Sequence, residues 1–231
     1  MIDKIIRFRK VASTQDTARR FYDEGSALAV TALSQAQGRG RQGRTWFSPR
    51  GGLYISLLLF PKKSLTSIPL LASLSIIRTL EDFGFSTLSI HWPNDVLLHN
   101  RKISGVVCER YKDSVICGVG LNVNIDRFAQ RIDSATSMSI ESGKSYELDE
   151  VLDCFLARFN VLYDELQDKG LKVKEVLNYI SGLGEAVEVI TAKETIKGTV
   201  CDIDDDWALL LRDESGIVRK FYYGDVRRLA W

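Results

Sequence analysis

Four apolar runs follow one another between residues 88 and 124 with almost nothing between them: LSIHW, VLLHN, KISGVVCERY and SVICGVGLNVN. Connections this short cannot house the crossover helix that parallel neighbours require, so the runs must pair as an antiparallel or mixed sheet. Further elements attach to that sheet. Residues 2 to 11 alternate as an opening strand, and STQDTARRFYDEG reads as a short helix with Ser13 or Thr14 as N-cap, Asp16 in the first turn and Gly25 as stop. ALAVTALSQ (27 to 35) and GLYISLLLF (52 to 60) are strands, and helical periodicity from Ser67 to Phe83 ends at Gly84. The fold class is therefore α/β of the α+β kind, a mixed, largely antiparallel sheet with packed helices.

A Ser/Thr-rich connection around 134 to 145 leads into LDEVLDCFLARFNVLYDELQDKG, apolar at helical spacing across two faces and long enough to cover the sheet, and KVKEVLNYI adds a shorter helix. Beyond the glycines of SGLGEA, five short strands separated by turn residues make a small barrel leaning on the main body. Residues 1–182 and 183–231 form the two expected domains.

With 45% hydrophobic and 26% charged residues, a chain of 231 residues has ample apolar surface for a core. Its net charge of +1 argues against a surface that binds nucleic acid throughout, so an anionic partner is small. Cys108, Cys117, Cys154 and Cys201 show no metal-ligand spacing and read as reduced thiols. The charged N-terminus is no signal peptide and no segment reaches membrane-spanning length, which places the protein in the cytoplasm.

QAQGRGRQGRTWFSPRGG, residues 35 to 52, cannot bury a core. Gly38, Gly40 and Gly43 match the dinucleotide-binding spacing, but the third glycine leads into another strand rather than a helix. A kinase glycine flap lacks its partner motifs, and GKS at 143 to 145 lacks the preceding glycine of a P-loop. What remains is an anion clamp. Glycines let backbone approach a ligand, and Arg39, Arg41, Arg44 and Arg50 present guanidinium forks to phosphate or carboxylate. An RNA-binding arginine-glycine segment is the rival from another class, but such segments sit in longer, more basic repeats.

HWPNDVLLHNRKISGVVCER forms a second constellation. Pro93 shapes a turn, Asn94 and Asp95 offer an amide and a carboxylate, and a hairpin brings Asp95 and Lys102 to one open end or face. His91 and His99 read as an edge-strand and a turn residue without a base partner. In GVGLNVN, the glycines at 118 and 120 mark a close approach, and Asn122 and Asn124 share a face.

Together GRGRQGRTWFSPRGGLYISL, WPNDVLLHNRKISGVVCE and GVGLNVN, with Ser13-Thr14-Gln15 ahead of them, resemble the biotin protein ligase family. The resemblance spans nearly the whole chain. It implies the class II aminoacyl-tRNA synthetase/biotin ligase catalytic fold with a C-terminal SH3-like β-barrel. It also implies that biotin and ATP are joined as biotinyl-5′-AMP with Mg²⁺, and that biotin then passes to a lysine of a biotin carboxyl carrier protein. Residue by residue, the family pattern puts Ser13, Thr14, Gln15 and Gln35 on the ureido ring. Arg39, Gly40 and Arg41 fold over the ligand, while Lys102 holds carboxylate or phosphate beside Gly105. Trp46 covers the adenine, with Arg44, Asn94 and Asn122 near the nucleotide. Asp95 either binds Mg²⁺ or accepts the proton of the carrier lysine; with Lys102 and Arg41 it makes the catalytic set. This chain departs from the pattern at Gln15, where asparagine is common, and at His91, where lysine is common. Only twelve residues precede Ser13, so a DNA-binding domain is not expected; a homodimer is compatible with the family. Lipoate protein ligase runs the same adenylation on another acid and is the nearest alternative. The arginine loop is expected to be mobile and to close over the adenylate.

Overall fold

The computed structural model describes residues 2–62, 66–128, 134–168 and 173–229. Strand β1 (Lys4–Phe8) leads into α1 (Thr14–Arg19), and β2 (Leu28–Ala32) and β3 (Gly52–Leu59) flank the arginine loop. After α2 (Ile68–Asp82) come the four predicted strands, β4 (Leu88–His91), β5 (Asp95–Leu98), β6 (Arg101–Tyr111) and β7 (Ser114–Asn122). They join a seven-stranded sheet of order β1-β2-β3-β7-β6-β5-β4, parallel at β1/β2 and antiparallel elsewhere.

Every residue of β3 is buried, as expected of a central strand covered on both faces. Helix α1 covers one face, where Ala18 meets Leu28, Val30, Leu58 and Ile116. Helices α2 and α4 (Leu148–Asp168) cover the other. The buried hydroxyls of α2 are satisfied one turn back: Ser73 donates to Pro69 O, Ser75 to Leu71 O and Thr79 to Ser75 O. Helix α4 leans chiefly on α2 and reaches the sheet at β3. Phe155, Phe159 and Tyr163 stand four residues apart along it, with neighbouring ring centroids 5.9 and 5.7 Å apart. Lys169, Gly170 and Lys172, in the expected helical runs, lie outside the described residues.

The stretch expected to be a plain connection contains a short helix, α3 (Met138–Ser142). Its signal is local: Ser137 accepts from Ile140 N as N-cap, and Gly143 ends it at φ 70°. At α1, by contrast, Ser13 makes no capping bond; Gln35 Oε1 takes the Thr14 N–H from another strand's end (2.8 Å).

After α5 (Val173–Leu177), residues 179–181 bond to Ile90 and cover the outer edge of β4. The tail forms β8 (Ala186–Ile190), β9 (Thr195–Ile203), β10 (Leu209–Asp213), β11 (Val218–Phe221) and β12 (Asp225–Arg228). Their order is β11-β10-β9-β8-β12. The expected barrel is therefore not closed among the described residues: β11 and β12 stay on opposite edges, and the Tyr222–Gly224 link, with Gly224 at φ 146°, carries the chain between them. The sheet shares one continuous apolar core with the larger body, including Val187, Val189, Leu209 and Leu211.

Asp213 organises the β10/β11 turn. It accepts from Ser215 Oγ, Arg219, Ile217 N and Ser215 N, and these bonds hold its carboxyl down at about 2. Its contribution to stability is complete above pH 3.8 and is lost as pH falls through about 2. Asp213→Asn is expected to lower the urea midpoint at pH 7, with the gap to wild type closing toward pH 2; a gap independent of pH would contradict this.

Candidate active site

The arginine loop is a small hairpin. Gly40 N donates to Arg44 O (2.7 Å), Trp46 N donates to Gly38 O (2.9 Å), and a 3-10 turn over Arg41–Gly43 closes the tip. No α-helix starts at Gly43, as the strand-loop-strand reading requires. Gly38 permits the fold: a Cβ there would sit 2.4 Å from Ser48 Oγ and 2.5 Å from Trp46 O.

Repulsion among the arginines is relieved by carboxylates rather than by distance. Arg39 pairs with Asp16 (3.0 Å) and Glu109 (3.4 Å). Arg41 donates to Asn94 Oδ1 (2.6 Å) and Gly224 O (2.8 Å) and lies 3.6 Å from Asp225. Arg44 also pairs with Asp225. Burial lowers the Arg41 pKa, with Asp225 and Asp95 opposing the shift. Arg50 does not line the cleft that the other three share.

The β5/β6 hairpin delivers Lys102. Asp95 pairs with Gly105 and Val96 with Ser104, but Leu97 pairs with Lys102, so Ile103 is an extra residue, a β-bulge. Simple alternation would put Lys102 on the face of Ser104 and Val106, toward α2. The bulge turns it to the face of Gly105, where Asp95 also stands. Lys102 Nζ meets Asp95 Oδ2 at 2.5 Å and lies 5.4 Å from the Trp46 ring centroid. Asn94 is fixed by donating to Val106 O (2.8 Å) and Asp95 Oδ1 (3.0 Å).

Sheet glycines make the floor. A Cβ on Gly120 would lie 2.3 Å from the indole nitrogen of Trp46, and one on Gly105 would lie 3.0 Å from its ring. Gly118 gives the same room to Gln15, whose carboxamide carbon would be 2.9 Å from a Cβ. At the far end Thr14 Oγ1 donates to Gln35 Oε1 (3.0 Å), Ser56 donates to Thr14 (2.8 Å), and Gln35 Nε2 donates to Ser48 (2.9 Å). Gln15 Nε2 donates to Val107 O (3.4 Å).

These groups line one cleft of about 330 Å³. One end is neutral and polar, at Thr14, Gln15 and Gln35; Arg41, Arg44 and Lys102 stand at the other with Asp95 and Asp225, while Arg39 pairs with Asp16 and Glu109 on the Gln15 side. Trp46, Asn94, Asp95, Gly40 and Gly105 lie between and around them. Ser13 and Asn122 do not line it. The Ser13 hydroxyl is buried beside the start of α1, and the Asn122 amide is engaged with Thr136 O (2.9 Å).

Residues 8–126 match the Biotin/lipoate A/B protein ligase family, and residues 182–228 match the Biotin protein ligase C terminal domain. The chain belongs to the biotin protein ligase family. Among its relatives is the Bifunctional ligase/repressor BirA of Bacillus spizizenii, 33% identical across 94% of this chain and 71% of that protein. The Biotin--[acetyl-CoA-carboxylase] ligase of Paracoccus denitrificans is 28% identical across 83% of this chain and 86% of its own length. The solved Aquifex aeolicus biotin protein ligase in complex with biotin and ATP superposes with a TM-score of 0.89 at 32% identity, covering 99% of this chain and all of that one.

In this biotin protein ligase family member the cleft has a wall that sequence reasoning missed. Asp225, Val226 and Arg227 of β12 face it, and His91 lines it while its Nε2 meets Val226 O at 2.9 Å. His99, read as a turn residue without a partner, meets Glu141 at 2.9 Å. DVRR gave no signal by itself, because its role comes from the Gly224 turn that lays β12 against the loop.

Proposed function

We infer that the chain activates biotin with ATP to biotinyl-5′-AMP, releasing pyrophosphate, and transfers biotin to a lysine of a biotin carboxyl carrier protein. The observation that carries this reading is the two-ended cleft, a neutral hydrogen-bonding end joined to a cationic end by a glycine floor. Biotin has the matching ends, a ureido head and a carboxylate.

In the first half-reaction a carboxylate oxygen bonds to the α-phosphorus as the bond to pyrophosphate breaks. Two anions must meet, so fixed positive charge is the protein's main contribution. Lys102 and Arg41 supply it, with Arg39 and Arg44 on the phosphates and Trp46 and Asn94 at the nucleotide. Lys102 is given an electrostatic role rather than that of a general base, since an ammonium has no acceptor site. Thr14, Gln15 and Gln35 hold the ureido head. Ser13 and Asn122 act behind them, one at the start of α1 and the other through Thr136. In the second half-reaction the carrier lysine attacks the acyl carbon and AMP leaves; the amine's proton goes to Asp95, or to water if Asp95 instead holds Mg²⁺.

No group of three or more metal-ligating side chains occurs among the described residues. The cleft itself offers the carboxylates of Asp95 and Asp225, a donor set that fits Mg²⁺, which is commonly held by one or two carboxylates plus substrate phosphates. Asp95 is the residue that would hold it, and the ion would neutralise phosphate charge.

We further propose a division at residues 182/183, supported by the C-terminal match beginning at 182. No helix among the described residues is long and apolar enough to cross a membrane, and all four cysteines are free, which supports a cytoplasmic setting. No nucleic-acid partner is proposed, because three loop arginines gather around one small cleft and the net charge is only +1.

ATP–pyrophosphate exchange with Mg²⁺ tests the reading. Exchange is expected with biotin and not with lipoate or without acid. Exchange with lipoate alone would move the specificity to the other branch of the family, and none with either would overturn adenylation.

A further inference from the structure

A bulged strand is a weak point of a ladder, yet the bulge at Ile103 is what sets Lys102 on the cleft face. The backbone of Lys102 is held from outside the hairpin. Its N–H donates to Ser134 O (2.6 Å) and its carbonyl accepts from Thr136 N (2.9 Å), so residues 134–136 run beside it as a strap. The strap needs anchors of its own. Asn122 Nδ2 donates to Thr136 O on one side. On the other side Thr136 Oγ1 donates to Glu141 Oε1.

Glu141 lies on α3 and does not line the cleft. Its side chain is only 7% exposed, and Arg101 Nη2 (2.5 Å) and His99 Nδ1 (2.9 Å) join Thr136 on its two oxygens. Burial works to raise its pKa, but donation by Thr136 and His99 and the charge of Arg101 outweigh that and keep it ionised. A ring of contacts results: Lys102 to Thr136, Thr136 to Glu141, Glu141 to Arg101, and Arg101 back to Lys102 through the peptide bond.

We propose that Glu141 is a positioning residue for Lys102, stitching the 134–136 strap to the bulged hairpin so that the ammonium stays against Asp95 and the cleft. This deepens the ligase reading and rests on it for the consequence to catalysis. Placement of the amine itself does not depend on that reading.

The test compares wild type, Glu141→Gln, Lys102→Ala and the double variant by biotin-dependent ATP–pyrophosphate exchange. A second readout is trace acetic anhydride labelling of each lysine, resolved by mass spectrometry. Glu141→Gln is expected to slow exchange about tenfold in the wild-type background, within the coupling range of one hydrogen-bond network, and to cost nothing further once Lys102 is alanine. Lys102 is expected to label faster in Glu141→Gln while Lys112 and Lys197 label as in wild type. Equal losses of exchange in both backgrounds, with Lys102 labelling unchanged, would overturn the proposal and leave Glu141 a stabilising residue only. If wild type shows no biotin-dependent exchange, the ligase reading fails and the labelling alone decides whether Glu141 positions Lys102.

Discussion

Lys102→Ala is expected to slow biotinyl-adenylate formation roughly 10²- to 10³-fold, the loss seen when one preorganised transition-state donor is removed. The lysine is only partly exposed, stands against Asp95 and the Trp46 ring, and is set on the cleft by the Ile103 bulge. Its charge is thus fixed before substrate arrives, so little reorganisation is needed as charge develops between the carboxylate and α-phosphate. Single-turnover adenylation measures the effect. An unchanged rate would reduce Lys102 to an ordinary strand lysine and move the work to the arginines.

Arg41→Ala is expected to lower the same rate about 10²-fold and to abolish ligand protection of the loop from trypsin. Arg41 links three elements, through Asn94 in the β4/β5 turn, Gly224 and Asp225. The neighbouring pairs are weak holds: exposed ion pairs are worth about 0–1 kcal/mol each, and Arg44 is 62% exposed. Phosphates offering bidentate, charge-assisted bonds can outcompete them. In wild type, biotin with ATP is therefore expected to slow cleavage at Arg39, Arg41 and Arg44. Equal cleavage with and without ligands would rule out loop closure, whatever Arg41 does for the rate.

Much of the cleft is legible in the chain because its residues are close in sequence or lie on one hairpin. Asp95 and Lys102 are joined by a short turn, and the loop arginines sit between two strands whose apolar character is unmistakable. The four strands from 88 to 122 follow from connection length alone. What sequence does not display is contact between distant segments. Asp225 meets Arg44 across 181 residues. His91 reaches Val226. Neither pairing has a local pattern, since each depends on how the C-terminal sheet docks on the larger body. The same holds for Gln35, which caps α1 from another strand's end while Ser13, the better local candidate, makes no capping bond. The open order of the C-terminal sheet also escaped, because strand count and turn spacing are the same for a closed barrel and an open sheet.

The bulge at Ile103 makes the chemistry of this chain a matter of parity. Side chains on a strand alternate between faces, so a ladder that took in Ile103 opposite Leu97 would set Lys102 opposite Leu98 and send the lysine toward α2 instead of the ligand. Substitutions in that turn change a surface; a one-step slip in register changes which side of the sheet the charge occupies. Register there should accordingly be far less negotiable than composition.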